Sequence, residues 1–193
     1  MCERCNWGFR NELMVSYHDT EWGVPLHDDR KLFEFLVLEG FQAGLSWQTV
    51  LNKREAFRNA FDHFDPEKIA AFNSKKVDEL MRNEAIIRNR KKIEAGINNA
   101  RCFLQIIDEF GSFDRYIWAF VGFKPIVNQF ADIKQLPAKT PLSDKISNDL
   151  KKRGFSFVGS TVVYAHMQAT GMVNDHLVSC FRYREINEQN QVI

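Results

Sequence analysis

The chain has 193 residues, of which 45% are hydrophobic and 26% charged, so a disordered chain is excluded. A chain of this length buries roughly 70% of its unfolded surface and needs no disulfide framework. The 26 basic and 25 acidic residues leave a formal charge of +1. Any nucleic-acid binding must then come from local basic patches and not from a global field.

No stretch approaches 18 uninterrupted apolar residues, so no membrane span is expected. The segment Met1-Cys2-Glu3-Arg4-Cys5 has no apolar secretory region, which makes the reducing cytoplasm the expected compartment. There Cys2, Cys5, Cys102 and Cys180 are expected as thiols or metal ligands, not disulfides.

Taken in chain order, Asp28 or Asp29 caps a helix carrying Leu32, Phe33, Leu36, Val37 and Phe41. Ser46 starts the next, with Trp47, Val50, Leu51 and Phe57 on one side. Asp65-Pro66-Glu67 reads as an N-cap, a proline at the first helical position and an acid in the first turn. Ser74 opens a short helix, and a long one runs from about Arg88 to Glu109 with Gly111 as its stop. Ser112 and Gly122 bracket a helix around Trp118.

The stretch from Lys124 to Pro141 reads as a loop. Residues 143–153 read as helix, Gly154 and Gly159 bound a turn, and residues 161–170 are helical again, ending at Gly171. Asn174 or Asp175 caps a last short helix through Cys180, and the final dozen residues, being polar, are expected to fray. Gly and Pro number only 10 and 5, and period-2 alternation is scarce, so the fold class is all-α. The expected organisation is one domain over residues 1–193, or two helical lobes sharing a core.

Four groups of residues could carry chemistry. His176-x-x-x-Cys180, placed on a helix, would face both side chains to one ion. Cys5 and His18 supply a matching second pair, and two thiolates with two imidazoles close a tetrahedral zinc shell. Such a site is structural and would tie residues 1–25 to residues 160–182. The alternative is a buried small Cys180 and a surface His176, and Cys2-x-x-Cys5 is a rival ligand pair. Cys102 is most simply a core residue.

Glu39 follows the nearly all-apolar run 32–38, so its carboxylate is a candidate for partial burial beside a polar ligand, against the alternative of a solvated helix residue. Tyr17-His18-Asp19-x-Glu21-Trp22, with Trp7 and Trp47, offers flat rings for stacking on bases. Their alternative is an aromatic core, which suits Trp118. Lys151-Lys152-Arg153-Gly154 through Ser160 combines a basic helix end, a glycine-bounded turn and a helix start able to hold phosphate. Arg88-x-Arg90-Lys91-Lys92 is a second basic patch, and a solvated helix end is the alternative for both.

Five segments in order carry a resemblance. They are Tyr17-His18-Asp19-x-Glu21-Trp22-Gly23-Val24-Pro25, Leu38-Glu39-Gly40 with Gln42-Ala43-Gly44-Leu45-Ser46-Trp47, Ile86-Ile87-Arg88-x-Arg90, Lys152-Arg153-Gly154-Phe155-x-Phe157-Val158-Gly159, and Asn174-Asp175-His176. Together they resemble the type I DNA-3-methyladenine glycosylase family of the helix-hairpin-helix superfamily, from about Cys5 to Cys180.

The resemblance implies a monofunctional base-excision repair enzyme that hydrolyses the N-glycosidic bond of 3-methyladenine in double-stranded DNA after flipping the base. It implies Glu39 as the catalytic or base-recognising acid, Trp47 and Tyr17 on the base, and Trp7 and Trp22 as walls. Gln42, Gly44 and Leu45 would fill the gap in the duplex, and Lys152, Arg153, Gly154 and Gly159 would hold the backbone. Cys5, His18, His176 and Cys180 match the family's zinc ligands, with one structural Zn2+ per chain and Cys2 a bystander. No organic cofactor and no membrane partner are expected, and a monomer is the simplest expectation. The family often carries a proline and a tyrosine where Glu12 and Met14 stand, and no acid lies between Gly159 and Asp175. Two other readings are a zinc-stapled, non-catalytic binder of damaged DNA and a zinc hydrolase; the latter needs an open coordination position.

Overall fold

The computed structural model describes residues 3–9 and 11–189. The described chain is mostly helical: α1 (Glu12–Thr20), α2 (Asp29–Gln42), α3 (Trp47–Leu51), α4 (Arg54–Ala60), α5 (Pro66–Ala70), α6 (Ser74–Arg82), α7 (Arg90–Phe110), α8 (Phe113–Trp118), α9 (Pro141–Lys152), α10 (Ser160–Ala169) and α11 (Phe181–Gln189). None of these is long and apolar enough to cross a membrane.

Local hydrogen bonds explain most helix starts. Asp28 caps α2 by accepting from Lys31 N, Ser46 caps α3 through Thr49 N, and Asp65 accepts from the amides of Glu67 and Lys68 ahead of Pro66. Gly111 ends α7 in the left-handed conformation. Helix α2 is the hub. Every residue from Leu32 to Phe41 is buried, Glu34 and Glu39 among them, so the helix is covered on all faces and shows no surface stripe. It packs on α7, α10 and α3, within a core that also buries Trp118 and Cys102, as expected.

A second buried cluster joins the two ends of the described chain: Cys5, Met14, Tyr17, Trp22, Phe35, Leu51, Ala169, Leu177 and Cys180. Gly171, at φ +70°, makes the junction possible. A Cβ there would lie 2.3 Å from the carbonyl carbon of Val24, so only glycine lets these segments touch.

Several sequence expectations change. Val173–Asn174 is not a helix start but a two-residue strand, β2, paired in parallel with β1 (Ile126–Val127). That pairing sits inside the expected 124–141 loop and is the one departure from an all-α fold among the described residues. His176 and Cys180 therefore lie in a turn, not on a helix. Residues beyond Cys180 form α11 where fraying was expected, because Ile186 is fully buried and Asn174 Nδ2 donates to Tyr183 O (3.2 Å) and Asn187 Oδ1 (2.9 Å). Helix α9 begins earlier than residue 143, since Thr140 and Ser143 form a reciprocal cap. α7 starts at Arg90, not at Arg88, because Asn89 is its cap. Cys2 lies outside the described residues.

Candidate active site

Glu39 sits on the last turns of α2 and is 4% exposed, which overturns the solvated alternative. Burial pushes its carboxyl up to about 8. Its Oε2 has no hydrogen-bond partner among the described residues, and neither has the buried Nε1 of Trp47. Such orphaned polar atoms are costly unless a ligand satisfies them. Both groups line a pocket of about 300 Å³ together with Trp7, Tyr17, Trp22 and Gln168.

The rings form a continuous wall. Trp47 lies 5.3 Å from Tyr17 and Trp7 lies 4.8 Å from Trp22, centroid to centroid. Met14 fills the position where the resemblance leads one to expect an aromatic residue, and it lines the same pocket. Behind Tyr17, the buried Arg54 donates to Glu34 Oε1 (2.5 Å) and Glu21 Oε2 (2.6 Å) and lies over the Phe35 ring. Nothing in the local spacing of Glu34 and Arg54 marks this network; it needs α2, α4 and the Glu21 turn brought together.

The edge of the pocket is a short exposed turn. Gly44 is at φ +83°, Leu45 N donates to Gln42 O, and Leu45 projects 43% exposed. Lys92, almost buried on α7, holds this turn by donating from Nζ to Phe41 O (2.8 Å) and Ala43 O (2.6 Å). It neutralises carbonyls at the C-terminus of α2, where the helix dipole is negative.

The turn between α9 and α10 lies beside the same helix, with the Phe157 Cβ 3.5 Å from a Cβ placed at Gly40. Asn98 Nδ2 donates to Gly154 O (2.8 Å), and Asn99 brackets Ser156 by donating to its O and accepting from its N. Gly154 is left-handed, and Gly159 starts α10 with no side-chain cap. The first amides of α10 thus lack the side-chain acceptor that serves most other helices here. Lys152 is exposed, but Arg153 is turned inward. It pairs with Glu109 and Asp149 and lies over the rings of Phe110 and Tyr116.

Below the aromatic wall, Cys5, His18, His176 and Cys180 are all buried and their ligand atoms lie within 4.8 Å of one another. Cys5 Sγ and Cys180 Sγ are 3.6 and 3.5 Å from His176 Nδ1, and Cys180 Sγ is 3.6 Å from His18 Nε2. A tetrahedral zinc with ordinary bond lengths separates sulfur from nitrogen by ~3.6 Å. The other ring nitrogens are already engaged: His176 Nε2 donates to Trp22 O (2.9 Å) and His18 Nδ1 to Asp19 Oδ1 (2.8 Å). This fixes the tautomers that leave the inner nitrogens as acceptors.

Burial alone would raise Asp19, yet hydrogen bonds from Arg4 and His18 hold it below the usual range. The neighbouring Cys5 thiol, with both imidazoles assisting, holds Cys180 well below the ordinary thiol range against the opposing effect of burial. The donor set and spacing fit zinc, and all four positions are taken by protein.

The methyladenine glycosylase family model matches residues 7–183. The chain belongs to the methyladenine glycosylase family. It is 50% identical over 181 residues to DNA-3-methyladenine glycosylase 1 of Escherichia coli (strain K12), covering 94% of this chain and 97% of that one. A crystal structure of 3-methyladenine DNA glycosylase I superposes with a TM-score of 0.91 at 50% identity, covering 93% of this chain and 98% of that one. A structure described as the basis of 3-methyladenine recognition by the Staphylococcus aureus enzyme gives 0.89 at 38% identity, covering 92% and 95%. As a methyladenine glycosylase the chain is an N-glycosyl hydrolase of base-excision repair, which sets aside the reading as a non-catalytic binder.

Of the residues singled out in the sequence, the fold brings Glu39, Tyr17, Trp47, Trp7 and Trp22 to one pocket, with Gln42 at its edge. Gln168, Gln48 and Ser46 also line it and were missed. Its place one turn beyond Ala165, on the same face of α10, was the available signal for Gln168.

Proposed function

We propose that this chain excises 3-methyladenine from double-stranded DNA, acting as a monomer, by rotating the methylated base into the Glu39–Trp47 pocket. The observation that carries this reading is the unpartnered, buried carboxyl in a ring-lined cavity. Flat rings accept a base by stacking, and a base must leave the duplex for its glycosidic bond to be reached. N3 methylation makes the purine cationic and its bond weak. Glu39 attracts that charge strongly in a water-poor site, and the base in turn draws the proton off Glu39. Glu39 binds and orients the base, Trp47 stacks on it, Tyr17 adds a polar contact, and Trp7 and Trp22 exclude water. Among the described residues no lysine lines the cavity as a nucleophile, so the proposed enzyme releases a base without cutting the strand.

Leu45 on its glycine turn is the apolar wedge, flanked by Gln42. The uncapped start of α10, with Gly154, Gly159 and Lys152, grips phosphates as a helix-hairpin-helix would. Arg153 supports that hairpin through its ion pairs. Cys5, His18, His176 and Cys180 hold one zinc, which supplies rigidity to the pocket wall through the contacts of Trp22 and Trp7 with His176 and His18. Four protein ligands leave no position for water, which disfavours a zinc hydrolase.

Incubating the protein with methylated duplex DNA and separating the freed bases by chromatography tests the reading. Free 3-methyladenine is expected, and Trp47→Ala should lower its release by about 10-fold or more, the loss of one base–ring stack. Absence of 3-methyladenine from the products, or full release by Trp47→Ala, refutes the pocket assignment. Duplex affinity should fall as salt rises, and Lys152→Gln should flatten the log–log slope by about 0.9. An unchanged slope would take Lys152 off the phosphate-binding surface.

A further inference from the structure

Gln168 stands on the last turn of α10 in the wall of the base pocket. Its backbone is fixed to the opposite segment, because Gln168 O accepts from Gly23 N at 3.0 Å, next to the Trp22 ring that also lines the cavity. Its side chain is fixed as well. Gln168 Nε2 donates to Asp175 Oδ2 at 2.8 Å.

Asp175 is 1% exposed and its two oxygens already accept from Tyr164 OH (2.6 Å) and Asn128 Nδ2 (2.6 Å). Three donors, Tyr164 OH, Asn128 Nδ2 and Gln168 Nε2, thus converge on this one carboxyl group. Turning the Gln168 amide over would set oxygen against oxygen. The amide end is thus committed to Asp175, and the carboxamide oxygen has no partner among the described residues.

We infer that Gln168 is a specificity-determining residue, presenting its carboxamide oxygen to the exocyclic amino group at position 6 of the bound purine. The inference rests on the reading that this pocket holds the flipped base. Adenine carries a donor at position 6 and guanine or hypoxanthine an oxygen, so an acceptor locked there favours the first and leaves two facing oxygens with the others. One such contact is worth roughly 10- to 100-fold in discrimination. Asp175 acts through Gln168 and is a positioning residue.

The test uses two free bases, 3-methyladenine with an amino group and 3-methylhypoxanthine with an oxygen at position 6, titrated against the full chain by quenching of the pocket tryptophans. The parent should bind 3-methyladenine at least about 10-fold more tightly. Gln168→Met and Gln168→Leu, which keep bulk but lose the oxygen, should bind 3-methyladenine more weakly, leave 3-methylhypoxanthine unchanged or improved, and bring the ratio toward one.

A purely structural role would weaken both bases together, and that result, or an unchanged ratio in both variants, overturns the inference. If the parent binds both bases equally, the specificity assignment alone fails. If it binds neither, and Trp47→Ala still releases 3-methyladenine, the pocket reading fails with it.

Discussion

Glu39→Gln should lower the release of 3-methyladenine from methylated duplex DNA by about 10²- to 10³-fold, the scale seen when a preorganised electrostatic group is removed from a reacting centre. The substitution keeps size, turns one acceptor oxygen into a donor and removes the ability to carry a negative charge opposite a cationic purine. It has a second, independent signature. The Glu39 carboxyl is raised by burial to about 8 in the fold, against an ordinary carboxylate value near 4.5 in the unfolded chain. Between those values the folded state holds a proton that the unfolded state releases, so stability falls as pH rises through the window. Glutamine abolishes that dependence.

The variant should therefore match the parent near pH 4.5 and become progressively more stable relative to it up to about pH 8, by roughly 3–5 kcal/mol at most. Parent activity, which requires the ionised form, should climb over the same interval, while residual activity of the variant stays flat. Melting temperatures and initial rates from pH 5 to 9 check both. A variant with full activity, or a stability difference independent of pH, would show that Glu39 is neither the acid of the site nor desolvated.

The second large effect concerns the Cys5–His18–His176–Cys180 cluster. Protein purified without chelator should contain one zinc per chain, and Cys180→Ser should lose the metal and roughly 3–5 kcal/mol of stability. The loss should appear first in base binding, because Trp22 packs on His176 (4.6 Å) and Trp7 on His18 (5.1 Å), so the pocket wall rests on the cluster. Cys102→Ser, a thiol outside the cluster, is the control and should retain the metal. Metal analysis finding no zinc in the parent, or full zinc in Cys180→Ser, would refute the assignment.

Much of the helical framework could be read locally. The Asp28, Ser46 and Asp65 caps and the Gly111 stop are satisfied by bonds within a few residues of themselves, so sequence is sufficient to place them. The candidate pairs Cys5/His18 and His176/Cys180 were also visible, but the geometry assumed for the second was wrong. Those two residues converge through a turn that follows β2, and β2 exists only because Ile126–Val127 comes alongside it from 47 residues away. No periodicity signals a two-residue strand. Similarly, Arg153 reads as a free cation at a basic helix end. Only the fold supplies Glu109, Asp149, Phe110 and Tyr116 to engage it.

What the sequence alone determined is most of the helical framework, the family and a set of candidate residues. Helix periods, caps and motif chemistry reside in neighbouring residues. The tertiary structure decided which of those residues act together. Glu39 lies far along the chain from Trp7 and Gln168, and its elevated carboxyl comes from burial beneath groups that reach it only on folding. Desolvation and the orientation of an amide such as Gln168 depend on what surrounds a group in space, and the sequence around that group does not contain its surroundings.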